Sequence, residues 1–147
     1  MKKWNAAIGA IGALTFTLGV AGCHDAIWDG NGLEKKIEQL DPSPIAQAGA
    51  PGVTAVAISA FMDESVTLAL TVDPEQFDAA SLCQVLDKYV AVAPSWSTVV
   101  RVGAVDTNGT IVDFESFAAV LGLDYSAALR GVSAPWSQVV HATDACP

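Results

Sequence analysis

Residues 66–77 read VTLALTVDPEQF, and this stretch decides the fold. Its first part alternates Val and Leu with Thr and Ala, which is the pattern of a strand with one buried face. Asp73 can then cap a helix, and Pro74 suits the first helical position. Over residues 77–90 the apolar side chains recur at helical spacing. The stretch therefore predicts a strand at 65–72 that leads directly into an amphipathic helix.

The same pattern returns later in the chain. Residues 72–100 and 112–140 align without a gap. Their first halves share Val-Asp-x-Glu-x-Phe, and their second halves share Trp-Ser-x-Val-Val, which begins at Trp96 and at Trp136. Self-similarity at a fixed offset indicates the duplication of one strand–helix–strand unit. The alternative is that two helices use similar starting residues by coincidence.

Turn and cap residues place the remaining elements. Asn108-Gly109 between two β-rich runs is a strong hairpin signal. Asp113 suits the start of a second helix, and Gly131 suits its end. The complete prediction has an extra strand at 53–61, strands at 65–72 and 96–105, a short strand at 110–112, a helix from 113 to about 130, and a last strand at 136–142.

This order of elements resembles the ferredoxin-like fold, in which a split βαβ unit is duplicated. The resemblance implies an α+β domain of βαββαβ order with an extra N-terminal strand, an antiparallel sheet and two helices on one face. The opposite face keeps small and polar side chains, namely Thr67, Ala69, Thr71 and Arg101. Because this fold hosts many unrelated functions, it implies no particular activity.

The N-terminus has the parts of an export signal. Lys2 and Lys3 precede the uncharged apolar segment 6–20, which is short for a membrane span. The following residues, Val20-Ala21-Gly22-Cys23, resemble the lipobox of bacterial lipoproteins. The resemblance implies cleavage after Gly22, fatty acyl chains such as palmitate on Cys23, and a lipid anchor on the extracytoplasmic face of the cell membrane. An ordinary signal peptide with a chance cysteine is the alternative.

These features divide the chain into three parts. Residues 1–22 are expected to be the signal peptide, and 23–52 a lipidated tether that contains a weak helix at 31–40. The proline-rich residues 41–44 should end that helix. The α+β domain is expected to span 53–147.

The chain has three cysteines. An odd number in an exported protein needs an explanation, and a lipid on Cys23 supplies one. Cys83 and Cys146 then remain, and in an oxidising compartment they are expected to form a disulfide. The alternative is a buried free thiol at Cys83 and an exposed one at Cys146.

Charge and motifs exclude several classes of function. The net charge of −9 becomes more negative when Lys2 and Lys3 are removed, and such a chain repels nucleic acid. The sequence has no nucleophile, metalloprotease or phosphate-loop motif, so we expect neither an enzyme nor a cofactor. Oxygens gather between Asp106 and Asp113, but a turn and a helix cap explain them better than Ca²⁺ does, because the spacing of an EF-hand loop is missing.

Four residues are candidates for interaction. Trp96 and Trp136 each open a predicted strand, either as core anchors or, where exposed, as interface residues. Arg101 and His141 occupy equivalent positions of the repeat, as anion contacts or as solvated strand residues. We expect a non-enzymatic protein-interaction module with an unidentified protein partner. The alternatives are a lipoprotein that binds a small ligand or a cation, and a phage or prophage lipoprotein that blocks superinfection.

Overall fold

The computed structural model describes residues 40–61 and 63–146. The predicted signal peptide, the predicted lipobox with Cys23, and nearly all of the predicted weak helix at 31–40 lie outside these residues. The elements are, in chain order, α1 (Ser43–Gln47), β1 (Val53–Ala60), β2 (Ser65–Val72), α2 (Ala79–Val92), β3 (Val99–Val105), β4 (Ile111–Val112), α3 (Glu115–Leu121), β5 (Tyr125–Ser126), β6 (Gly131–Pro135) and α4 (Trp136–Asp144).

The strands form one open sheet in the order β1-β2-β3-β6-β5, with β4 also paired to β3. This arrangement confirms the predicted α+β class and is consistent with a ferredoxin-like fold. One expectation is corrected, because the sheet is mixed rather than antiparallel. β2 and β3 are parallel neighbours from the Ser65–Val99 pair to the Thr71–Val105 pair. The crossover through α2 returns the chain to the end of the sheet where β2 began, so β3 runs parallel to β2. No strand lies between the two.

The core lies between one face of this sheet and a layer of helices. Alternate residues of β2 are fully buried on that face, as the sequence predicts for a half-buried strand. The helix α2 packs against α1, α3 and α4, so the four helices form one layer. Each fully buried aliphatic or aromatic side chain contributes roughly 1.5–3 kcal/mol to folding. The central contacts come from Val66, Leu68, Leu70, Val72, Leu82, Val85, Leu86 and Tyr89.

The helix α2 begins later than predicted. Its cap is Asp78, whose Oδ1 accepts from the Ser81 N–H at 2.9 Å, while the Asp78 N–H donates to Ser81 Oγ at 3.2 Å. This reciprocal capping box satisfies two backbone N–H groups, those of Asp78 and Ser81. Asp73 instead accepts from the Glu75 N–H at 3.1 Å and closes a turn. The prediction of Asp73 as the cap was therefore wrong.

The two copies of the repeat share a conformation only in the turn at their start, because α2 begins seven residues after Val72 whereas α3 begins three residues after Val112. Asp113 accepts from the Glu115 N–H at 2.9 Å, in the same kind of turn as Asp73 with Glu75. Beyond this turn the two structures differ. Trp96 lies in the turn before β3, whereas Trp136 is the first residue of the helix α4.

The second half of the chain corrects two further predictions. The helix expected over 113–130 ends at Leu121, because Gly122 adopts φ 68° and terminates it. The strand expected at 136–142 is the helix α4, and the last main strand is β6. Val139, Ala142 and Thr143 are the buried residues of α4, and their spacing is helical.

Part of the expected tether belongs to the packed domain. Leu40, Ile45 and Ala50 are buried in the core cluster, and α1 packs against β1 and α2. The packed region therefore includes residues from Leu40 onward, rather than beginning at Val53.

The predicted disulfide is confirmed. Cys83 on α2 is bonded to Cys146, which follows α4, and their Cα atoms are 5.7 Å apart. The bridge joins residues 63 apart in sequence and fixes the C-terminal helix to the central helix.

Candidate functional site

The sheet face opposite the helices carries the side chains that the sequence places there. Register pairs Thr67 with Arg101, Ala69 with Gly103, and Thr71 with Val105, so side chains of each pair project from the same face. We call this surface the open face. Its side chains are half-buried, in contrast to the fully buried residues that alternate with them.

A shallow groove of about 200 Å³ runs along the open face. Leu129 packs above its floor, since a Cβ built on Gly103 would lie 3.4 Å from Leu129 Cδ1. Ile111, which is 49% exposed, forms one wall. The side chains that line the groove are almost entirely aliphatic: Thr67, Ala69, Gly103, Val105, Ile111 and Leu129.

The segment 125–130, which we call the strap, carries Leu129 across the groove. Asp113 holds both ends of the strap: Oδ1 accepts from the Tyr125 hydroxyl at 2.9 Å, and Oδ2 accepts from Arg130 Nε at 3.2 Å. Arg130 adopts φ 54°, an unfavourable conformation for a residue with a side chain. The side-chain bonds of Asp113 therefore help to hold a strained segment in place.

The surroundings of Asp113 stabilise its charged form. The backbone N–H of Glu115, then the Tyr125 hydroxyl and the Arg130 guanidinium, lower the pKa of Asp113. Burial, and then the neighbouring Asp113 carboxylate, raise the pKa of Tyr125. The pair is therefore arranged for a neutral phenol that donates to an ionised carboxylate.

Acid should loosen the strap. A carboxyl group with a depressed folded pKa stabilises the fold above its unfolded pKa of about 3.9, and this contribution disappears as the pH falls through the lower folded pKa. We therefore expect Asp113→Asn to lower the melting temperature at pH 7 and to reduce the loss of stability that the native chain shows below about pH 4. Hydrogen exchange at residues 125–130 should be faster in Asp113→Asn at neutral pH.

Asp87→Asn is the matched control, because Asp87 is exposed on α2, in the helix layer on the other face of the sheet. Equal exchange at the strap in both variants would mean that Asp113 does not hold it.

Arg101 lies at one end of the open face, and its guanidinium is hydrogen-bonded within the domain. Its guanidinium donates to Ser65 Oγ and, at 3.3 Å, to Asp63 Oδ2. The Ser65 hydroxyl donates to Asp63 Oδ1 at 2.5 Å, and the Ser65 N–H donates to the same oxygen at 3.1 Å. Hydrogen bonds from Ser65, opposed in part by burial, together with the Arg101 guanidinium, lower the pKa of Asp63. This cluster fastens the β1–β2 turn to β3, and an external anion would have to displace Asp63.

Trp96 and Trp136 lie at the same end of the sheet, where β3 begins and β6 ends. The backbone N–H of Trp136 donates to the Thr98 carbonyl at 2.9 Å. The Trp136 ring meets Tyr89 edge-on at 6.2 Å between ring centroids, and Tyr89 donates to Ser97 Oγ at 3.0 Å. Both tryptophans are half-buried and pack against the core, so they act as anchors that keep part of each ring at the surface.

The predicted equivalence of Arg101 and His141 was wrong. His141 is an exposed residue of α4 in the helix layer, whereas Arg101 lies on the open face of the sheet. The structure therefore brings Arg101 to the open face and both tryptophans to one end of the sheet, but it separates His141 from them. The strap was missed because the sequence analysis extended a helix through it.

Residues 40–61 and 63–146 show neither a metal-ligand cluster nor a membrane-spanning helix. Within these ranges no three His, Cys, Asp or Glu side chains come together as metal ligands. None of the helices that the structure describes combines the length and apolar character needed to cross a bilayer.

No protein-family model matches this chain, and neither a curated protein nor a solved structure is significantly similar to it. In the part of the chain that the structure describes, the fold and the candidate site define a disulfide-bonded α+β domain with one sheet face covered by helices and the other face open.

Proposed function

We propose that this chain is an extracytoplasmic lipoprotein, anchored through Cys23, that works as a non-enzymatic protein-interaction module. The open face is the observation that carries the interaction part of the proposal. The groove on this face is lined mainly by aliphatic side chains, on a domain whose remaining surface is rich in acidic residues, and exposed apolar surface marks contact sites. The lipobox-like residues and the Cys83–Cys146 disulfide support an address outside the cytoplasm.

The size of the groove favours a protein partner over a small ligand. Ligand pockets usually enclose about 300–1,000 Å³, whereas this groove offers about 200 Å³ and is open on one side. A protein segment laid across the open face would cover Ile111 and Leu129 together and remove their aliphatic surface from water. Trp96 and Trp136 pack against the core at the end of the same sheet, with the Trp136 ring on Tyr89 of α2, so they act as anchors rather than as contacts of the groove.

The anchor can be tested by acylation and fractionation. We expect the native chain to sit in the membrane fraction, with an N-terminal peptide that begins at an acylated Cys23. Cys23→Ser should be unacylated and should leave the membrane fraction. A native chain that is cleaved but carries no lipid would contradict the proposed lipid anchor. The proposed interaction through the open face would be unaffected by this result.

The interaction surface can be tested with two matched substitutions. Ile111→Glu places a charge on the groove wall, and Val120→Glu places one on the exposed surface of α3, where Val120 is 72% exposed. In crosslinking and affinity capture from intact cells, we expect Ile111→Glu to lose a partner that Val120→Glu retains. A partner retained by both variants would show that binding does not use the open face.

A small apolar ligand is a second candidate, because Leu129 partly encloses the groove. Binding of this kind should raise the melting temperature of the native chain in a screen of aliphatic ligands, and Leu129→Ala should remove the shift. No shift across the screen would leave the protein partner as the remaining proposal for the groove.

A further inference from the structure

The hairpin between β3 and β4 presents an asparagine that is held only by its backbone. Asp106 Oδ1 accepts from the N–H groups of Asn108 at 2.8 Å and of Thr110 at 2.9 Å. Asn108 and Gly109 are both exposed, and within residues 63–146 the Asn108 carboxamide makes no hydrogen bond. Gly109 adopts φ 83°, and a Cβ built there would meet no atom within 4 Å.

We propose that Asn108 is a site of spontaneous deamidation through a cyclic imide. The Gly109 backbone nitrogen attacks Asn108 Cγ, the new N–Cγ bond closes a five-membered ring, and the Cγ–Nδ2 bond breaks. Ammonia leaves with the proton of the Gly109 N–H. Water then adds across one of the two ring C–N bonds and yields either aspartate or isoaspartate, without any oxidation or cofactor. Because Gly109 has no Cβ, nothing obstructs the attack at this position.

The turn controls the rate of this reaction. The Gly109 N–H donates to the Asp106 carbonyl at 3.0 Å, so the nucleophilic nitrogen is restrained until this bond opens. The Asp106 side chain holds the rest of the turn through its two accepted hydrogen bonds. Asp106 is therefore a positioning residue that slows the reaction in the folded chain.

Deamidation at Asn108 would change the shape and the charge of the groove. Val105 pairs with Ile111 on either side of the turn, and both residues line the groove. Isoaspartate inserts an extra methylene into the main chain between them and adds a negative charge. The product would therefore shift the Ile111 wall of the groove, which makes Asn108 a slow, irreversible modifier of the open face.

Peptide mapping of the full chain tests the proposal. The purified protein is incubated in mildly alkaline buffer, folded or unfolded in urea with the disulfide intact, and digests are scored for aspartate and isoaspartate at residue 108. Conversion at Asn108 is expected in both samples. It should be about fivefold faster in urea, which breaks the hydrogen bond from the Gly109 N–H to the Asp106 carbonyl, since one ordinary hydrogen bond contributes about 1 kcal/mol. Asp106→Ala keeps that carbonyl but removes the two side-chain hydrogen bonds that hold the turn, so conversion in the folded variant should also be faster than in the native chain. Asn108→Gln, with its longer side chain, serves as the unreactive control.

Asn31-Gly32 provides an internal comparison in the same digest. An unchanged Asn108 in folded protein, after an incubation in which the urea sample has converted, would overturn the proposal. Equal rates in the folded chain, in urea and in Asp106→Ala would overturn the assignment of the turn as the brake.

Discussion

Removal of the Cys83–Cys146 disulfide is expected to lower the free energy of unfolding by about 3–4 kcal/mol. The bridge spans 63 residues, so its loss releases a long loop in the unfolded chain. A domain of this size has a total stability of roughly 5–15 kcal/mol, so the double variant Cys83→Ala/Cys146→Ala should remain folded but unfold at much lower urea concentration.

The reduced native chain is the natural comparison for this variant. Urea titrations with and without a thiol reductant should bring the native protein close to the double variant, while the variant itself should not respond to reductant. Cys83 is completely buried, so Cys146→Ala alone removes the crosslink without opening a cavity in α2. A difference below about 1 kcal/mol between native and double-variant proteins would contradict a constraint on a loop of this length.

The structure also predicts which elements lose most stability when the disulfide is reduced. The helix α4 has nine residues, and its buried positions are Val139, Ala142 and Thr143. An isolated helix of this length is unstable in water, so α4 depends on its packing and on the bridge at its end. Hydrogen exchange in the reduced protein should therefore increase first in α4, and later in β2 and β3.

Local patterns were sufficient for two features of the first part of the fold. The alternation of residues in 65–72 gave the strand β2 with its boundaries, and Asn108-Gly109 gave the β3–β4 hairpin. The open face followed from the same alternation, because a period of two fixes which side chains point away from the helices. The disulfide followed from the number of cysteines and the expected export signal.

Tertiary context decided the second half. Trp-Ser-x-Val-Val begins at Trp96 and at Trp136, and the same residues enter a strand in one place and form a helix in the other. Propensity cannot separate the two cases, since valine favours strands and tolerates helices. What separates them is the packing of α4 on α2 and the bridge to Cys83, which are long-range contacts.

The sequence did not predict the groove because one helix end was placed at the wrong glycine. The sequence prediction ends the second helix at about residue 130, before Gly131, although Gly122 suits a helix C-terminus equally well. The helix ends at the first of them, and the freed residues form the strap that carries Leu129 over Gly103. The candidate site was therefore predictable in its sheet residues and not in its cover.

Gly131→Ala is expected to destabilise the domain by about 3 kcal/mol or more, because overpacking of a fixed backbone contact is relieved only by moving strands. A Cβ at Gly131 would overlap the Val102 carbonyl oxygen and lie 3.1 Å from its carbonyl carbon and 3.2 Å from Gly103 Cα. These are backbone atoms of β3, which is paired to β2 on its other side and cannot withdraw. The variant should show a large drop in melting temperature, or be recovered only as unfolded protein.

Gly109→Ala separates this steric effect from the ordinary cost of replacing a glycine. Gly109 has a positive φ but open space around it, so alanine there should cost only about 1–2 kcal/mol of backbone strain. Gly131 is the reverse case, in which the neighbouring strand and not the backbone angle forbids a side chain. If both variants lose the same modest stability in urea titrations, β3 and β6 are not in the close contact described, and Gly131 is replaceable.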